Sequence, residues 1–250
     1  MKKRRLSRIS ALHYYKLIFR SLLFVTATVL YVIGRIRGQG DLFGEVRRVP
    51  AFAGFIWLVF FVEMIWRFFP SKMESMGCQK QFRENYVPTG DAPEKTPVGR
   101  KLSVAAVWLL LNGIFGLLYY LGIFDAGLLL LISLAYSVCD MICILFFCPF
   151  QTWFLKNKCC GSCYIYNWDY AMMFTPLVFI PDVFTWSLFG VALLLLLVFE
   201  IAQLCHPERF SEASNACLSC EKCEEKLCHH KRQLRHFIQK NKHLFFKKKK

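Results

Sequence analysis

The sequence has little negative charge and lacks several common catalytic motifs. Its 17 Asp and Glu residues face 32 Lys and Arg residues, which gives a formal net charge of +15. It contains no Walker lysine loop, no G-x-S-x-G elbow, no H-E-x-x-H helix and no G-x-G-x-x-G loop after a strand. These absences remove the motif-based arguments for a P-loop nucleotide hydrolase, a serine hydrolase, a zinc protease and a dinucleotide-binding enzyme.

Long apolar runs dominate what is present. Hydrophobic residues make up 56% of the chain, and its 25 phenylalanines exceed what one water-soluble core needs. None of the runs alternates apolar and polar residues with the period of two that barrel strands show, so a membrane β-barrel is excluded. The pattern therefore predicts an all-α, multi-pass helical membrane protein. Five stretches are long enough, or nearly so, to cross a bilayer as helices: 17–36, 51–69, 102–124, 126–147 and 183–204.

Charge divides the chain into apolar hairpins and basic connecting segments. The predicted parts are a basic N-terminus (1–16), a helical hairpin (17–69), a polar cytoplasmic linker (70–101) and a second hairpin (102–148). A cysteine-rich loop (149–170), a short segment with the last membrane helix (171–204) and a basic tail rich in cysteine and histidine (205–250) follow. The first stretch lacks a small-x-small cleavage pattern after its apolar part, so we expect an uncleaved helix.

Basic flanks predict the orientation. Seven Lys or Arg residues precede or enter the first helix, and none lies between the third and fourth helices, which places the N-terminus in the cytoplasm. Five crossings would put the tail outside, yet the tail carries twelve Lys or Arg residues. A short sixth segment at 164–180, kinked at Pro176, resolves the conflict. We therefore expect about six membrane segments, five of full length and one short or re-entrant, with a cytoplasmic tail.

The tail contains a dense group of metal-ligand residues. Cys217, Cys220, Cys223 and Cys228 follow the pattern C-x2-C-x2-C-x4-C, with His229 next. This run resembles the C-x2-C-x2-C-x3-C run of bacterial ferredoxins, although the last gap is one residue longer and His229 stands where those proteins have proline. An iron–sulfur cluster is the first interpretation and zinc the second, since zinc also binds cysteine and histidine. A membrane-surface helix with free or acylated thiols is the third.

A second group of cysteines surrounds the end of the fourth helix. Cys148 ends that helix, and Cys159, Cys160 and Cys163 follow on the same predicted side of the membrane. Cys160 and Cys163 form a C-x2-C pair whose intervening glycine permits a tight ligand turn, so these four residues are predicted to bind a cofactor. Cys139 and Cys143, one turn apart within the fourth helix, are interpreted as packing residues or simple thiols.

Acidic residues within the spans support a rival function. Carboxylates in hydrocarbon are costly and often mark ion or proton paths, and Asp140 is the most deeply placed of them. Glu63 precedes Arg67 by four residues, which predicts an ion pair on one helix face. No residue is assigned a catalytic role from the sequence.

These observations predict a membrane protein with cysteine-based metal sites for membrane-associated electron transfer. The alternatives are a cation or proton transporter with a structural or sensing zinc site, and a membrane assembly or scaffold protein with free thiols. We expect the basic ends to contact anionic lipid headgroups rather than nucleic acid, and we expect a redox partner protein.

Overall fold

The fold was analysed in a computed structural model, which describes residues 7–38, 44, 50–157, 160–219 and 223. Every regular element in this part of the chain is helical. The α-helices are α1 (Arg8–Ile36), α2 (Pro50–Trp66), α3 (Met76–Gln79), α4 (Val98–Tyr120), α5 (Ala126–Leu145), α6 (Asp169–Phe174) and α7 (Val183–Cys205). A π-helical turn, Phe150–Leu155, follows α5. Short 3-10 turns lie at Arg83–Asn85, Tyr166–Trp168, Thr175–Phe179, Pro207–Arg209 and Ala216–Leu218.

Four helices in the described part of the chain are long and apolar enough to cross a bilayer. They are α1, α4, α5 and α7, with 29, 23, 20 and 23 residues. At 1.5 Å per residue, about 20 residues cover the roughly 30 Å of hydrocarbon. This confirms the predicted class, an all-helical integral membrane protein with several crossings. The remaining predicted stretch, 51–69, also forms a helix, α2, but its 17 residues make it shorter than the other four.

Three of the long helices begin at a residue whose side chain caps the first turn. The Ser7 hydroxyl accepts a hydrogen bond from the Ser10 amide at the start of α1 (3.1 Å). The carboxylate of Asp125 accepts from the Leu128 amide before α5 (2.7 Å), and that of Asp182 accepts from the Phe184 amide before α7 (2.9 Å). Each cap satisfies an amide that would otherwise lack a partner, so these polar residues fix where the apolar helices start.

Residues 164–180, predicted as a short sixth segment, form a chain of brief helices. The 3-10 turn Tyr166–Trp168 leads into α6, and the 3-10 turn Thr175–Phe179 follows, with Pro176 in its first turn. The last two pieces have six and five residues and together cover less than about 20 Å, below the thickness of the hydrocarbon core. Their side chains are largely buried against α4, α5 and α7. A full sixth crossing is therefore not established by this segment.

The buried face of α1 is largely polar, whereas its exposed face is apolar. On α1, Ile18, Leu22 and Val25 are exposed, whereas Lys16 and Arg20 are buried. This distribution of charged and apolar side chains is the reverse of that on a surface helix of a water-soluble protein. It fits a bundle whose outer faces contact lipid.

Arg20 joins four helices through its guanidinium group. Its Nη2 atom donates to the Glu63 carboxylate of α2 at 2.8 Å and to the Tyr170 hydroxyl of α6 at 3.4 Å. Its Nη1 atom donates to the Asp140 carboxylate at 3.1 Å and to the Ser137 carbonyl at 3.3 Å, both on α5. Because Arg20 is only 1% exposed, these partners replace nearly all of its hydration.

Arg67 extends the same ionic network. Its Nη1 atom donates to the Asp169 carboxylate at 2.8 Å, and its guanidinium lies 4.5 Å from the centre of the Tyr170 ring. The sequence predicts an ion pair between Glu63 and Arg67. Glu63 instead pairs with Arg20 and Lys16, because both cations reach it from α1.

Arg20→Met is predicted to destabilise the folded protein strongly. The substitution leaves the Glu63 and Asp140 carboxylates buried without their main cation, which costs about 3–5 kcal/mol in comparable buried pairs. Arg35→Met is the matched control, since Arg35 lies on the same helix and its ion pair with Asp125 is largely exposed. Thermal unfolding in detergent measures both variants. Equal unfolding temperatures for the two variants would contradict the role of Arg20.

Candidate cysteine-lined site

A cavity of about 130 Å³ lies between α4, α5, the π-helical turn and α6. We call it the cysteine cavity, because five cysteines line it: Cys139, Cys143, Cys148, Cys160 and Cys163. Cys139 and Cys143 lie on α5, and Cys148 lies between α5 and the π-helical turn. Cys160 and Cys163 lie in the loop 160–163. None of the described cysteines forms a disulfide.

Contacts near the end of α5 bring several of these thiols into one region. Cys143 and Cys148 are within hydrogen-bonding reach of each other. The Cys148 sulfur also accepts from the Gln151 amide at 3.4 Å, and the Cys160 sulfur lies 3.6 Å from Gln151 Oε1. Cys163 is near enough to Cys148 and Cys160 to interact with them electrostatically. The sulfurs therefore gather at the end of α5, around Gln151.

The cavity contains three of the four loop cysteines predicted to bind a cofactor. Cys148, Cys160 and Cys163 all line it, while Cys159 lies outside the described residues. The sequence interpretation of Cys139 and Cys143 as packing residues missed their place in the same cavity. The two cysteines are four positions apart, which puts both on one face of the helix. This spacing can be read from the sequence, but it does not show whether that face points into the bundle.

The tail cysteines are only partly described. Cys217 lies in the 3-10 turn Ala216–Leu218, where its amide donates to Asn215 Oδ1 at 3.0 Å. Cys223 is described as an isolated residue of intermediate exposure, and the predicted ligands Cys220, Cys228 and His229 lie outside the described residues.

The thiols do not form a ready-made site for a single ion. Within the described ranges, no group of three or more His, Cys, Asp or Glu side chains is placed to hold one metal ion. A tetrahedral zinc site with bonds of about 2.3 Å needs its four sulfurs within about 4 Å of one another.

Carboxylates and aromatic rings line the rest of the cavity. Asp140 and Asp169 face it, and both belong to the network of Arg20 and Arg67. Trp108 and Tyr136 close another side, with ring centres 4.5 Å apart. The sequence predicts Asp140 as a functional candidate. It does not predict that Trp108, Tyr136 and Asp169 line the same cavity, because these three residues belong to different helices.

The loop 160–163 places one thiol deep and the other nearer the surface of the site. Cys163 is 8% exposed, and burial raises the pKa of its thiol to about 12, although the nearby Lys80 ammonium acts in the opposite direction. Cys160 is only partly buried. The Cys163 thiol is therefore protonated at neutral pH.

Cys163 in the metal-free protein is predicted to react slowly with iodoacetamide and to react faster as the pH rises. Only the thiolate is nucleophilic, so the rate should increase about tenfold per pH unit while the pH stays below the raised pKa. Mass spectrometry of the peptides measures the rate at each cysteine, with exposed Cys205 as the accessibility control. Alkylation of Cys163 as fast as that of Cys205 near neutral pH would contradict its burial.

Comparison of the chain with protein-family models, curated proteins and solved structures finds no match. The geometry of the cysteine cavity and the chemistry of its thiols therefore carry the functional proposal.

Proposed function

We propose that this protein is a membrane-embedded metalloprotein whose cysteine cavity holds an iron–sulfur cluster for membrane-associated electron transfer. The observation that carries the proposal is the meeting of Cys143, Cys148, Cys160 and Cys163 around one cavity. Four thiolates are the usual ligand set of such a cluster. Cys159 belongs to the sequence-predicted set and stays a candidate ligand.

The surroundings of the thiols support a redox centre. The cavity has mainly apolar walls, including Ile144, Phe150 and Met172, and burial of a cluster in such walls is one of the means by which proteins set its potential. Gly161 lies between the paired cysteines, so the loop can turn tightly. Electrons would leave toward a redox partner protein at the face of the bundle where the loop 160–163 lies.

The tail is proposed as a second metal site. Its ligands would be Cys217, Cys220, Cys223 and Cys228, with His229 as an additional donor. The C-x2-C-x2-C spacing and the neighbouring lysines support ligation, because positive charge stabilises thiolates. Zinc is the alternative metal for both groups.

A transporter is the second candidate function, and one observation favours it. Asp140 and Asp169 both line the cavity, so a cation or proton inside it would meet two carboxylates. Against this, each carboxylate already accepts hydrogen bonds from a buried arginine. A colourless protein with bound zinc and ion flux in reconstituted vesicles would support this function. A protein with no metal and no flux would support the assembly or scaffold role.

The proposed topology places both ends of the chain in the cytoplasm. Residues 164–180 then act as a short crossing segment that returns the chain to the cytoplasmic side, and the basic ends contact anionic headgroups of the cell membrane. The positive charge of the tail supports this orientation, because a segment with twelve Lys or Arg residues is retained on the cytoplasmic side.

A reporter fused after Lys250 is predicted to show the activity typical of the cytoplasmic side. Alkaline phosphatase, which is active outside, should be inactive in this fusion, and green fluorescent protein should fluoresce. A fusion after Asp125, in the turn before α5, provides the opposite control. Phosphatase activity at the tail would show an odd number of crossings and would favour disulfides among the tail cysteines.

Protein purified without oxygen is predicted to be brown and to contain iron and acid-labile sulfide in near-equal amounts. Its visible absorption should bleach on reduction. The double variant Cys160→Ser, Cys163→Ser should lose the cluster of the cavity, because two of its four ligands are removed. Cys205→Ser is the matched control, since Cys205 is exposed at the end of α7 and does not line the cavity.

The tail site is tested separately by Cys220→Ser with Cys223→Ser. Loss of only part of the iron in each double variant supports two sites. Loss of all metal in both variants would show that the two groups share one centre. Absence of any metal from the anaerobic wild-type protein would exclude the electron-transfer proposal.

A further inference from the structure

The thiols of the cysteine cavity are grouped as pairs rather than around one point. Within the described ranges, no three ligand side chains are placed to hold a single metal ion. A disulfide needs only two sulfurs, on residues whose Cα atoms lie about 4.4–6.8 Å apart. Pairs of thiols therefore have a chemistry that does not depend on a bound metal, and two such pairs line the cavity.

The first pair, which we call the loop pair, consists of Cys160 and Cys163. The Cys163 amide donates to the Cys160 carbonyl at 3.1 Å, so the loop closes a hydrogen-bonded turn whose ends lie within about 7 Å. Cys160 is only partly buried, whereas Cys163 is buried. A disulfide from outside can therefore reach Cys160, and the Cys163 thiol is placed to complete the exchange from within.

The second pair, which we call the helix pair, consists of Cys143 on α5 and Cys148 just after it. The two side chains are within hydrogen-bonding reach of each other. The Phe146 and Phe147 amides both donate to the Ile142 carbonyl, at 2.8 and 3.1 Å. The second of these bonds spans five residues, so the helix ends in a wide turn. Such a turn brings residues five positions apart, as Cys143 and Cys148 are, close together.

Gln151 joins the two pairs. Its amide donates to the Cys148 sulfur at 3.4 Å, and its Oε1 atom lies 3.6 Å from the Cys160 sulfur. The Cys160 sulfur also lies 3.9 Å from the Ile144 carbonyl, at the end of α5. Because Gln151 is buried, this arrangement holds the accessible member of the loop pair beside the nearer member of the helix pair.

We propose that the cysteine cavity is a dithiol relay, which accepts a disulfide from a small thiol compound at the loop pair and passes it to the helix pair. This inference goes beyond the proposed function, because it concerns the thiols without a metal. A cluster bound to the same sulfurs would block the exchange, so the cluster and the relay belong to different states of the protein.

The first exchange oxidises the loop pair. Cys160, as a thiolate, attacks one sulfur of the substrate disulfide, which forms a mixed disulfide and releases one substrate thiol. Cys163 then loses its proton and attacks the Cys160 sulfur, which releases the second substrate thiol. The two protein thiols lose two electrons and two protons, and the substrate disulfide gains them as two thiols.

The second exchange transfers the disulfide to α5. Cys148 attacks the Cys160 sulfur, and Cys163 leaves as a thiol with the proton from Cys148. Cys143 then attacks Cys148, and Cys160 leaves as a thiol with the proton from Cys143. One disulfide breaks and one forms, so this transfer consumes no further oxidant. The loop pair is then reduced and can react again.

The experiment uses the full chain in detergent, stripped of metal with a chelator under reducing conditions and then freed of the reductant. Glutathione disulfide is the probe, and mass spectrometry of the peptides maps each linkage. The reference protein carries Cys159→Ser, which removes the thiol adjacent to Cys160. The pH is mildly alkaline, because burial raises the pKa of the Cys163 thiol and slows its attack near neutral pH.

Two variants of the reference protein test the transfer between the pairs. Cys143→Ser with Cys163→Ser leaves Cys148 and Cys160, which should form a disulfide with each other and release glutathione. Cys148→Ser with Cys163→Ser removes the acceptor of the transfer and should retain glutathione on Cys160 several times longer. Cys205→Ser is the matched control and should behave as the reference protein, since Cys205 is exposed and does not line the cavity.

Equal retention of glutathione on Cys160 in the two double variants would overturn the relay. Absence of both a glutathione adduct and a disulfide at Cys160 in every protein would overturn it as well. The link between Cys148 and Cys160 should also be lost in favour of random pairing when denaturant is present. An equal yield of this link in the unfolded chain would show that the fold does not bring the two pairs together.

The iron and sulfide content tests the proposed function and is independent of these results. A protein that binds no iron can still show the transfer from Cys160 to Cys148. A protein that binds a cluster can lack this transfer once the metal is removed. The failure of one proposal is therefore distinguishable from the failure of the other.

Discussion

The arrangement of the bundle depends on the buried hydrogen bonds of Arg20. Lipid tails are as apolar as the outer faces of the helices, so the hydrophobic effect gives little reason for one membrane helix to prefer another. Polar links between helices then contribute strongly to their arrangement. Arg20 bonds to α2, α5 and α6 at once, and its removal from water makes each of these partners necessary. This residue therefore fixes the rotation of α5 as well as its position.

The rotation of α5 places the cysteine cavity. Asp140 points toward Arg20, and residues three or four positions away on a helix share its face. Tyr136 and Cys143 are such residues, and both line the cavity. The same ion pair that holds the bundle together thus turns an α5 thiol toward the loop 160–163. Loss of the ion pair between Arg20 and Asp140 would therefore disturb the cysteine cavity even though no cysteine is changed.

The sequence predicts the helices well and the site only partly. Hydropathy depends on residues close together in the chain, so all five apolar stretches were found as helices. Ion pairs depend on tertiary contacts: Glu63 bonds to Arg20, 43 positions away, rather than to its near neighbour Arg67. The interpretation of Cys143 as a packing residue fails for the same reason: its contact with Cys148 depends on the tertiary fold and not on a local sequence pattern. The loop cysteines were recognisable because their spacing is itself local.

The densest group of cysteines in the sequence lies mostly outside the described residues, and the group that lines the cavity in the described part of the chain is a different one. In the tail, four cysteines lie within twelve positions, whereas the cavity draws its thiols from α5, the residues after it and the loop 160–163. Closely spaced ligands can bind a metal before the chain folds, because little chain entropy is lost in bringing them together. Ligands on separate rigid segments depend on the fold, and here on the ion pairs of Arg20, to meet. A centre in the cavity would therefore be held at a fixed depth in the bundle and would respond to the packing of the membrane helices.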